Sequence, residues 1–271
     1  MKDKSEEILS VDNLKLYYSE TGGLFKSSNT IKAVDDVSFK LINGETLGIV
    51  GESGSGKSSI CRLILSLVIK TSGKIFWFGN DLDGYTKKEM KDFRKKVQII
   101  FQDPYGSLDP RMTIGSIIKE PLDIFNEQLS KQKKEEKIFQ LMNDVGLSND
   151  LFNRYPHELS GGQCQRVGIA RALINEPSVL ICDEPVSALD LSIQAQILDL
   201  LNDLKSKYNL TLIFVSHDLS VIKAICDKVL VLKNGIIIEN RNTDDLFNNP
   251  KDDYTKKLIS SVPSPIPLAK L

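Results

Sequence analysis

A glycine-rich octapeptide is the segment of this sequence whose residue types point most directly to chemistry. It consists of Gly51, Glu52, Ser53, Gly54, Ser55, Gly56, Lys57 and Ser58, which fits the pattern G-x-x-x-x-G-K-[ST]. Glycines allow the backbone to wrap tightly, so that amide N–H groups point at phosphate oxygens. The lysine supplies a positive charge to the β- and γ-phosphates, and the hydroxyl of Ser58 can ligate Mg²⁺. The octapeptide therefore predicts a site for a nucleoside triphosphate.

The segments on both sides of the octapeptide indicate that its match to the pattern is not due to chance. Thr46 to Val50 is short and apolar, which predicts a strand, and an apolar helix is predicted from Lys57 to Ile69. A strand, a loop and a helix in this order are the context that the mechanism requires. The positive N-terminal end of the helix then faces the bound anion.

Two carboxylates follow a second apolar segment. Ser178 to Cys182 is predicted to be a buried strand, and it runs directly into Asp183 and Glu184. Ligands bind at the carboxyl ends of strands in open α/β sheets. Alone, this pair would be an ordinary acidic turn after a strand. With the octapeptide upstream, Asp183 is predicted to hold Mg²⁺, directly or through water, and Glu184 to polarise the attacking water.

A third segment places glycines at the start of a predicted helix over Gly162 to Asn175. It consists of Leu159, Ser160, Gly161, Gly162 and Gln163. Ser160 is a natural N-cap, and the two glycines expose backbone N–H groups. The segment is either a second anion site or simply a capped helix start.

The elements that must position these segments alternate between strands and helices, which predicts an α/β fold with a largely parallel sheet. Two longer segments, Ile8 to Tyr18 and Ile31 to Leu41, precede this region and have the pattern of half-exposed strands. Asn43-Gly44 and Asn234-Gly235 are turn signals of the hairpin type. A helical stretch from Thr113 to about Ser160 interrupts the alternation and predicts an inserted helical subdomain.

Composition narrows the class of protein further. The 271 residues carry a formal net charge of −1, which gives no basis for predicting a nucleic-acid partner. No apolar run is long enough to cross a bilayer, and no secretory signal is evident, so we expect a cytoplasmic protein. The four cysteines have no metal-ligand or redox spacing and predict buried free thiols in a reducing compartment; they are Cys61, Cys164, Cys182 and Cys226.

Taken together and in this order, the motifs resemble those of the ATP-binding cassette (ABC) ATPases. The set is completed by Ser187-Ala188-Leu189-Asp190 and Ser216-His217-Asp218, and the resemblance extends over Ile8 to Leu258. It implies an α/β P-loop NTPase fold with a RecA-like parallel-sheet core, an N-terminal antiparallel β subdomain and an inserted helical subdomain. It also implies one cassette domain over 8–258, with the helical subdomain at about 103–165.

The resemblance assigns roles to individual residues. It implies that Tyr18 stacks on adenine, with Tyr17 as a competing candidate, and that Ser59 joins the octapeptide in binding ATP. Gln102 resembles the Q-loop glutamine, which touches Mg²⁺ and senses the transmembrane partner. His217 resembles the histidine that contacts the γ-phosphate, so that Glu184, His217 and Gln102 form the catalytic set.

The resemblance also implies a shared site. In this family the segment from Leu159 to Gln163 contacts ATP held by the opposite subunit, and Asp190 resembles the D-loop aspartate at the dimer interface. We therefore expect a second ATPase subunit, a paralogue or the same chain, with a paralogue favoured. Two transmembrane permease subunits and, indirectly, an extracytoplasmic solute-binding protein complete the expected partners. The expected ligands are ATP and Mg²⁺, and the expected location is the cytoplasmic face of the membrane.

Further segments resemble the ATPase subunits of bacterial oligopeptide and dipeptide importers. They include Ala33 to Phe39, Phe101 to Arg111, Arg154 to Leu159, Asp183 to Asp190 and a C-terminal tail over 240–271. Gly22-Gly23-Leu24-Phe25 favours the second of the two paralogous ATPases of that group. The usual His-Pro-Tyr-Thr is replaced by Lys251-Asp252-Asp253-Tyr254-Thr255. Since no cysteine follows Cys226, we expect no iron–sulfur cluster.

Three alternatives remain open at this level. The cargo is nickel or another small solute in related importers. A cassette protein without a transport role, such as a translation or DNA-repair factor, usually has two cassettes or a long coiled-coil insertion, neither of which this sequence shows. A binding-only subunit is disfavoured because Gln102, Gln163, Glu184 and His217 are all present.

Overall fold

The computed structural model describes residues 6–19 and 30–261. Within these ranges the strands are β1 (Glu7–Ser19), β2 (Thr30–Ile42), β3 (Thr46–Val50), β4 (Ser72–Trp77), β5 (Asn80–Asp81), β6 (Val97–Ile100), β7 (Val179–Asp183), β8 (Thr211–Ser216), β9 (Lys228–Lys233) and β10 (Ile236–Asn242). The helices are α1 (Lys57–Ile64), α2 (Lys87–Lys96), α3 (Ile114–Phe125), α4 (Lys131–Asp144), α5 (Gly161–Leu173), α6 (Leu191–Tyr208), α7 (Leu219–Ile225), α8 (Thr243–Asn248) and α9 (Asp253–Ser260). The segment from Gly22 to Phe25 and the last ten residues, 262–271, lie outside the described ranges.

The first sheet is antiparallel and confirms the predicted N-terminal β subdomain. Its strand order is β2-β1-β4-β5, and the two long strands β1 and β2 pair along their length, with Leu14 opposite Val37. One face of this sheet is apolar and packs toward α1 and the second sheet, as shown by a shared core that includes Leu9, Ile49 and Ile60.

The second sheet confirms the predicted parallel core. Its order is β10-β9-β3-β8-β7-β6, and every pairing from β9 to β6 is parallel. All five residues of β3 are buried, because helices or the other sheet cover both faces of a central parallel strand. The Asn234-Gly235 turn joins β9 to β10 as the predicted hairpin.

The Asn43-Gly44 turn is not a hairpin turn, so that expectation was wrong. It ends β2 in the antiparallel sheet and is followed by β3, which pairs with β8 and β9 in the parallel sheet. The positive φ of Gly44, 80°, supports a tight turn in either context. The uniformly apolar β3 takes a central position with two parallel neighbours, which a local turn signal does not reveal.

Helix α1 also ends earlier than the predicted Ile69. It stops at Ile64, and Ser66 adopts a left-handed conformation with a φ of 53°. The apolar residues after Ser66 connect α1 to β4, and Ile69 among them is almost fully exposed.

Helices α3, α4 and α5 form the inserted helical region, with short 3₁₀ turns at Asn149–Asn153 and Pro156–Glu158. Its buried residues share a core with one face of the parallel sheet. All four cysteines are buried free thiols, as predicted. Within residues 6–19 and 30–261, no helix combines the length and the apolar character needed to span a bilayer.

Candidate nucleotide-binding site

The predicted chemical residues meet because they follow parallel strands. Gly51 follows β3, Asp183 ends β7, Ser216 ends β8 and Gln102 stands two residues beyond β6. Since neighbouring parallel strands end at the same edge of the sheet, these segments converge there. A cavity of about 950 Å³ lies at this edge. It is lined by Thr30, Ile31, Lys32, Ala33, Ser53, Gly54, Gly56, Lys57, Ser58, Ser59, Gln102, Glu184, His217 and Asn234.

Gly56 shows why the octapeptide needs glycine at the start of α1. It is the N-cap of the helix, with a φ of 107° that favours glycine. A Cβ atom at this position would lie 2.4 Å from the carbonyl oxygen of Ala33. Both the backbone conformation and the close approach of β2 therefore exclude a side chain.

Lys57 is held by the loop that it completes. Its side chain is only 5% exposed, and its Nζ donates hydrogen bonds to the carbonyl oxygens of Gly51, at 2.9 Å, and Glu52, at 3.0 Å. Burial lowers the pKa of the Lys57 ammonium, while the carboxylates of Glu184 and Asp183 act in the opposite direction. A nearby triphosphate would supply the countercharge that a buried ammonium needs.

Glu184 lies at the centre of the predicted catalytic set. Its Oε2 accepts a hydrogen bond from Nε2 of Gln102 at 3.1 Å and lies 3.3 Å from Nδ1 of His217. Its Oε1 lies 3.9 Å from Nζ of Lys57. The structure thus brings together four side chains that are far apart in sequence, in a geometry suited to holding a carboxylate near transferred phosphate.

The residues predicted to hold Mg²⁺ supply oxygen donors, as this cation requires. Oγ of Ser58 donates a hydrogen bond to Oδ1 of Asp183 at 3.1 Å. Ser58 and Gln102 line the cavity, whereas Asp183 is not among its lining residues. Burial, foremost, raises the pKa of Asp183. The hydroxyl, carboxylate and amide oxygens of these three side chains are donors that fit Mg²⁺, a cation that usually binds through one or two carboxylates together with phosphate oxygens.

Three residues of the octapeptide, Gly51, Glu52 and Ser55, are not among those that line the cavity. Among the residues that the structure describes, the hydroxyl of Ser55 is buried and has no hydrogen-bond partner. The part of these three residues in ATP binding stays a prediction.

The two tyrosine candidates for adenine stacking differ in their surroundings. Tyr18 is 45% exposed and is paired in the sheet with Ile31, which lines the cavity, although Tyr18 itself does not. The hydroxyl of Tyr17 donates a hydrogen bond to Asp35, and Nζ of Lys32 lies 5.3 Å from the centroid of its ring. Tyr17 is therefore held by Asp35 and Lys32, and the stacking of adenine on Tyr18 stays a prediction.

Sequence reasoning missed five cavity-lining residues, which are Thr30, Ile31, Lys32, Ala33 and Asn234. Ala33 stood in a family-like segment and Asn234 in a turn signal, yet neither pattern indicated contact with a ligand. Only the packing of β2 and of the β9–β10 hairpin against the octapeptide places them there, with the N–H of Gly235 donating to the carbonyl oxygen of Ser55 at 2.9 Å.

The segment from Leu159 to Gln163 is not part of this cavity. Ser160 caps α5 as predicted, with its Oγ accepting from the N–H of Gln163 at 3.3 Å and its own N–H donating back to that side chain at 2.9 Å. A Cβ on Gly162 would lie 2.8 Å from Ile193 of α6, the helix that Asp190 caps. The structure thus groups this segment with Asp190, apart from the octapeptide of the same chain.

Known proteins are similar to this chain in sequence. The family model described as "ABC transporter" matches residues 34–187. The oligopeptide transport ATP-binding protein OppF of Salmonella typhimurium is 50% identical over 268 residues, covering 98% of this chain and 80% of that protein. The dipeptide transport ATP-binding protein DppF of Escherichia coli is 45% identical, covering 95% of this chain and 77% of that protein.

Solved structures agree in fold. The ATP-binding cassette MJ0796, in a dimeric post-hydrolysis state bound to ADP and Pi, superposes with a TM-score of 0.77 at 28% identity over 87% of this chain and 99% of that one. CbiO1 of Clostridium perfringens, part of the transporter complex cbiONQ, also gives 0.77, at 27% identity over 90% of this chain and 92% of that one. The chain therefore belongs to the ABC transporter family and has the fold of its ATP-binding cassettes.

Proposed function

We propose that this chain binds ATP with Mg²⁺ and hydrolyses it as one of two ATPase subunits of a bacterial importer of oligopeptides or dipeptides. The observation that carries the proposal is the convergence of Lys57, Gln102, Glu184 and His217 on one cavity at the carboxyl ends of the parallel strands. Such convergence of a lysine, a carboxylate and polar side chains beside a phosphate-binding loop supports phosphoryl transfer to water.

Each residue has a distinct part in this proposal. Lys57 binds the β- and γ-phosphates with the third N–H of its ammonium group, while the other two continue to donate to the carbonyl oxygens of Gly51 and Glu52. Glu184 orients the attacking water and accepts a proton from it, while Gln102 and His217 hold the carboxylate in place and His217 contacts the γ-phosphate. Ser58, Asp183 and Gln102 would hold Mg²⁺, which neutralises phosphate charge when bound.

The segment from Leu159 to Gln163 supports a site that two chains share. The segment does not line this chain's own cavity, yet it contains the start of α5, and the N-terminus of a helix favours an anion. A second ATPase subunit, with a paralogue favoured over the same chain, would bring its phosphate loop to this segment and offer its own segment in return. Asp190 would lie at the same interface.

The named relatives support the cargo class. They are oligopeptide and dipeptide transport ATP-binding proteins that cover nearly this whole chain. We infer two permease subunits as membrane partners, a solute-binding protein as an indirect one, and a peripheral position on the cytoplasmic face of the membrane. The cassette would span about 8–258, with its helical subdomain at about 103–165 and a transporter-type tail over 240–271.

Replacement of Glu184 by glutamine tests the hydrolytic role. Glu184→Gln keeps the size of the side chain but removes the proton acceptor, so steady-state ATP turnover in the assembled transporter should fall about a hundredfold or more. ATP binding should persist. Glu89→Gln is the matched control, because Glu89 belongs to the capping box of α2 and glutamine can serve there as well. Full turnover in Glu184→Gln would contradict the assigned role.

Uptake measurements test the cargo. Cells that lack the chain should lose uptake of a labelled tripeptide or dipeptide, and expression of the wild-type chain, but not of Glu184→Gln, should restore it. Restoration of nickel uptake with no effect on peptides would reject the peptide assignment and retain the ATPase. Co-purification with ribosomes in place of permeases would reject the transport role altogether.

A further inference from the structure

A tyrosine near the end of the described chain contacts the phosphate loop. Tyr254 is the second residue of α9, and its side chain is buried, with 8% exposure. Its hydroxyl oxygen accepts a hydrogen bond from the backbone N–H of Glu52 at 3.1 Å. This contact joins α9 to the second residue of the octapeptide, and neither residue is among those that line the cavity.

The peptide group between Gly51 and Glu52 is held at both of its polar atoms. Its carbonyl oxygen, on Gly51, accepts from Nζ of Lys57 at 2.9 Å, and its N–H, on Glu52, donates to Tyr254. A peptide group is planar and its N–H and C=O point in opposite directions, so two such bonds fix its rotation. Tyr254 thus sets the orientation of a carbonyl that positions the phosphate-binding lysine.

The turn before α9 is held in place by hydrogen bonds to the edge strand β10. Oε1 of Glu239 accepts the backbone N–H groups of Lys251, at 3.1 Å, and Asp252, at 2.8 Å. Arg241 of the same strand donates to the carbonyl oxygen of Asn249 at 2.5 Å. The turn before α9 is therefore fastened to the parallel sheet immediately upstream of Tyr254.

The β9–β10 hairpin also holds the loop at a second point. The N–H of Gly235 donates to the carbonyl oxygen of Ser55 at 2.9 Å. Nζ of Lys233 lies 4.8 Å from the centroid of the Tyr254 ring, which adds a cation–π contact between the hairpin and α9. The β9–β10 hairpin and α9 together hold the octapeptide at two residues, Ser55 and Glu52.

We infer that Tyr254 is a positioning residue that preorganises the phosphate loop, and that docking of α9 is thereby coupled to nucleotide binding. The inference rests on the proposed binding of ATP to the octapeptide. The apparent dissociation constant of a ligand rises in inverse proportion to the fraction of molecules whose site is in the binding conformation. Coupling between two sites is reciprocal, so bound nucleotide also stabilises the docked α9.

Removal of one hydroxyl tests the inference. Tyr254→Phe keeps the buried ring and removes the bond to Glu52. The dissociation constant of the full chain for ATP, measured by equilibrium dialysis, should increase about fivefold, the factor that corresponds to one hydrogen bond. Tyr85→Phe is the matched control, since the hydroxyl of Tyr85 donates to the carbonyl oxygen of Trp77 at 3.0 Å in the antiparallel sheet, away from the cavity. Its dissociation constant should equal that of the wild type.

Hydrogen exchange separates positioning from general stabilisation. In the wild type, ATP should slow amide exchange in residues 253–260. In Tyr254→Phe with saturating ATP, that slowing should be lost, while α1 is still protected. An unchanged dissociation constant in Tyr254→Phe, or a lowered thermal midpoint with unchanged affinity, would overturn the inference and leave the proposed function intact. Failure of the wild-type chain to bind ATP would overturn both.

Discussion

At the level of single residues, Glu184 combines its chemistry with an unusual backbone conformation. Its φ is 49°, in the left-handed region that non-glycine residues rarely adopt, at a cost of roughly 1–3 kcal/mol. Its N–H donates to the carbonyl oxygen of Val215 at 3.0 Å, which secures the turn after β7. The strained residue, Glu184, directly follows β7, at the turn that brings its carboxylate to Gln102 and His217.

The buried carboxyl group of Asp183 leads to a prediction about the stability of the fold. Because burial raises the pKa of Asp183 above 3.8, the folded state retains its proton to higher pH than the unfolded state. Stability therefore falls as pH rises from about 3.8 through the folded-state pKa. Asp183→Asn removes this charge, so its thermal midpoint without nucleotide should exceed that of the wild type at pH 7.5, with the difference shrinking as pH falls. Its ATP turnover should be lost.

Asp109→Asn is the control of opposite sign. The Arg111 side chain, first of all, lowers the pKa of Asp109 to about 2. The same substitution there removes a favourable interaction, so it should not raise the thermal midpoint at pH 7.5. A rise of equal size in both variants would show that loss of negative charge in general, and not burial of Asp183, causes the effect.

At the level of elements, the helical region is packed more tightly at some glycines than at others. Gly115 of α3 lies against Phe152, and an added Cβ would approach that ring within 2.4 Å. Gly168 of α5 is also buried, but an added Cβ there would meet no atom within 4 Å. The two positions therefore separate the steric and the conformational effects of a methyl group in a helix.

Alanine at these two positions should change stability in opposite directions. Gly115→Ala should destabilise by about 1–3 kcal/mol, because overpacking displaces Phe152. Gly168→Ala should stabilise by roughly 0.5–1 kcal/mol, because glycine is the poorer helix former. Denaturant midpoints of the two variants and the wild type, monitored by circular dichroism, check both signs. Stabilisation by Gly115→Ala would show that α3 and the 3₁₀ turn are not packed as described.

At the level of the whole molecule, the motifs lie in two separate places on one chain. The octapeptide and the segment from Leu159 to Gln163 belong to different parts of its surface. Ser160 should therefore act on the nucleotide of the opposite subunit. In a transporter in which only this chain carries Ser160→Ala, hydrolysis at the partner's phosphate loop should fall at least tenfold, while ATP binding at this chain's own loop stays within about twofold.

Ser130→Ala controls for the structural role of Ser160. Both serines are N-caps, since Oγ of Ser130 accepts from the N–H of Lys133 at 3.4 Å at the start of α4. Loss of either cap costs about 0.5–2 kcal/mol of stability. Only Ser160→Ala should also reduce hydrolysis, which is measured by single-turnover assays with each loop blocked in turn. Weakened binding at this chain's own loop in Ser160→Ala would contradict the two-chain site.

The sequence by itself determined the elements and the chemistry that are local. The spacing of Gly51, Gly56, Lys57 and Ser58 specifies a phosphate loop because each role depends on neighbours a few residues away. Ser160 could likewise be identified as a cap, since a cap is formed within three residues. The short apolar segments that form β3 and β7 alternate with helical segments, which indicated a largely parallel sheet, and this proved correct.

Only the tertiary structure decided which distant residues meet. The turn at Asn43-Gly44 joins two sheets, and Tyr254 reaches Glu52 across most of the chain. No local pattern reports such contacts, because they result from the order of strands in the sheet and from the face on which each helix packs. The residues expected to bind ligands can therefore be identified from short motifs. The long-range contacts that hold those motifs in place form only when the chain folds.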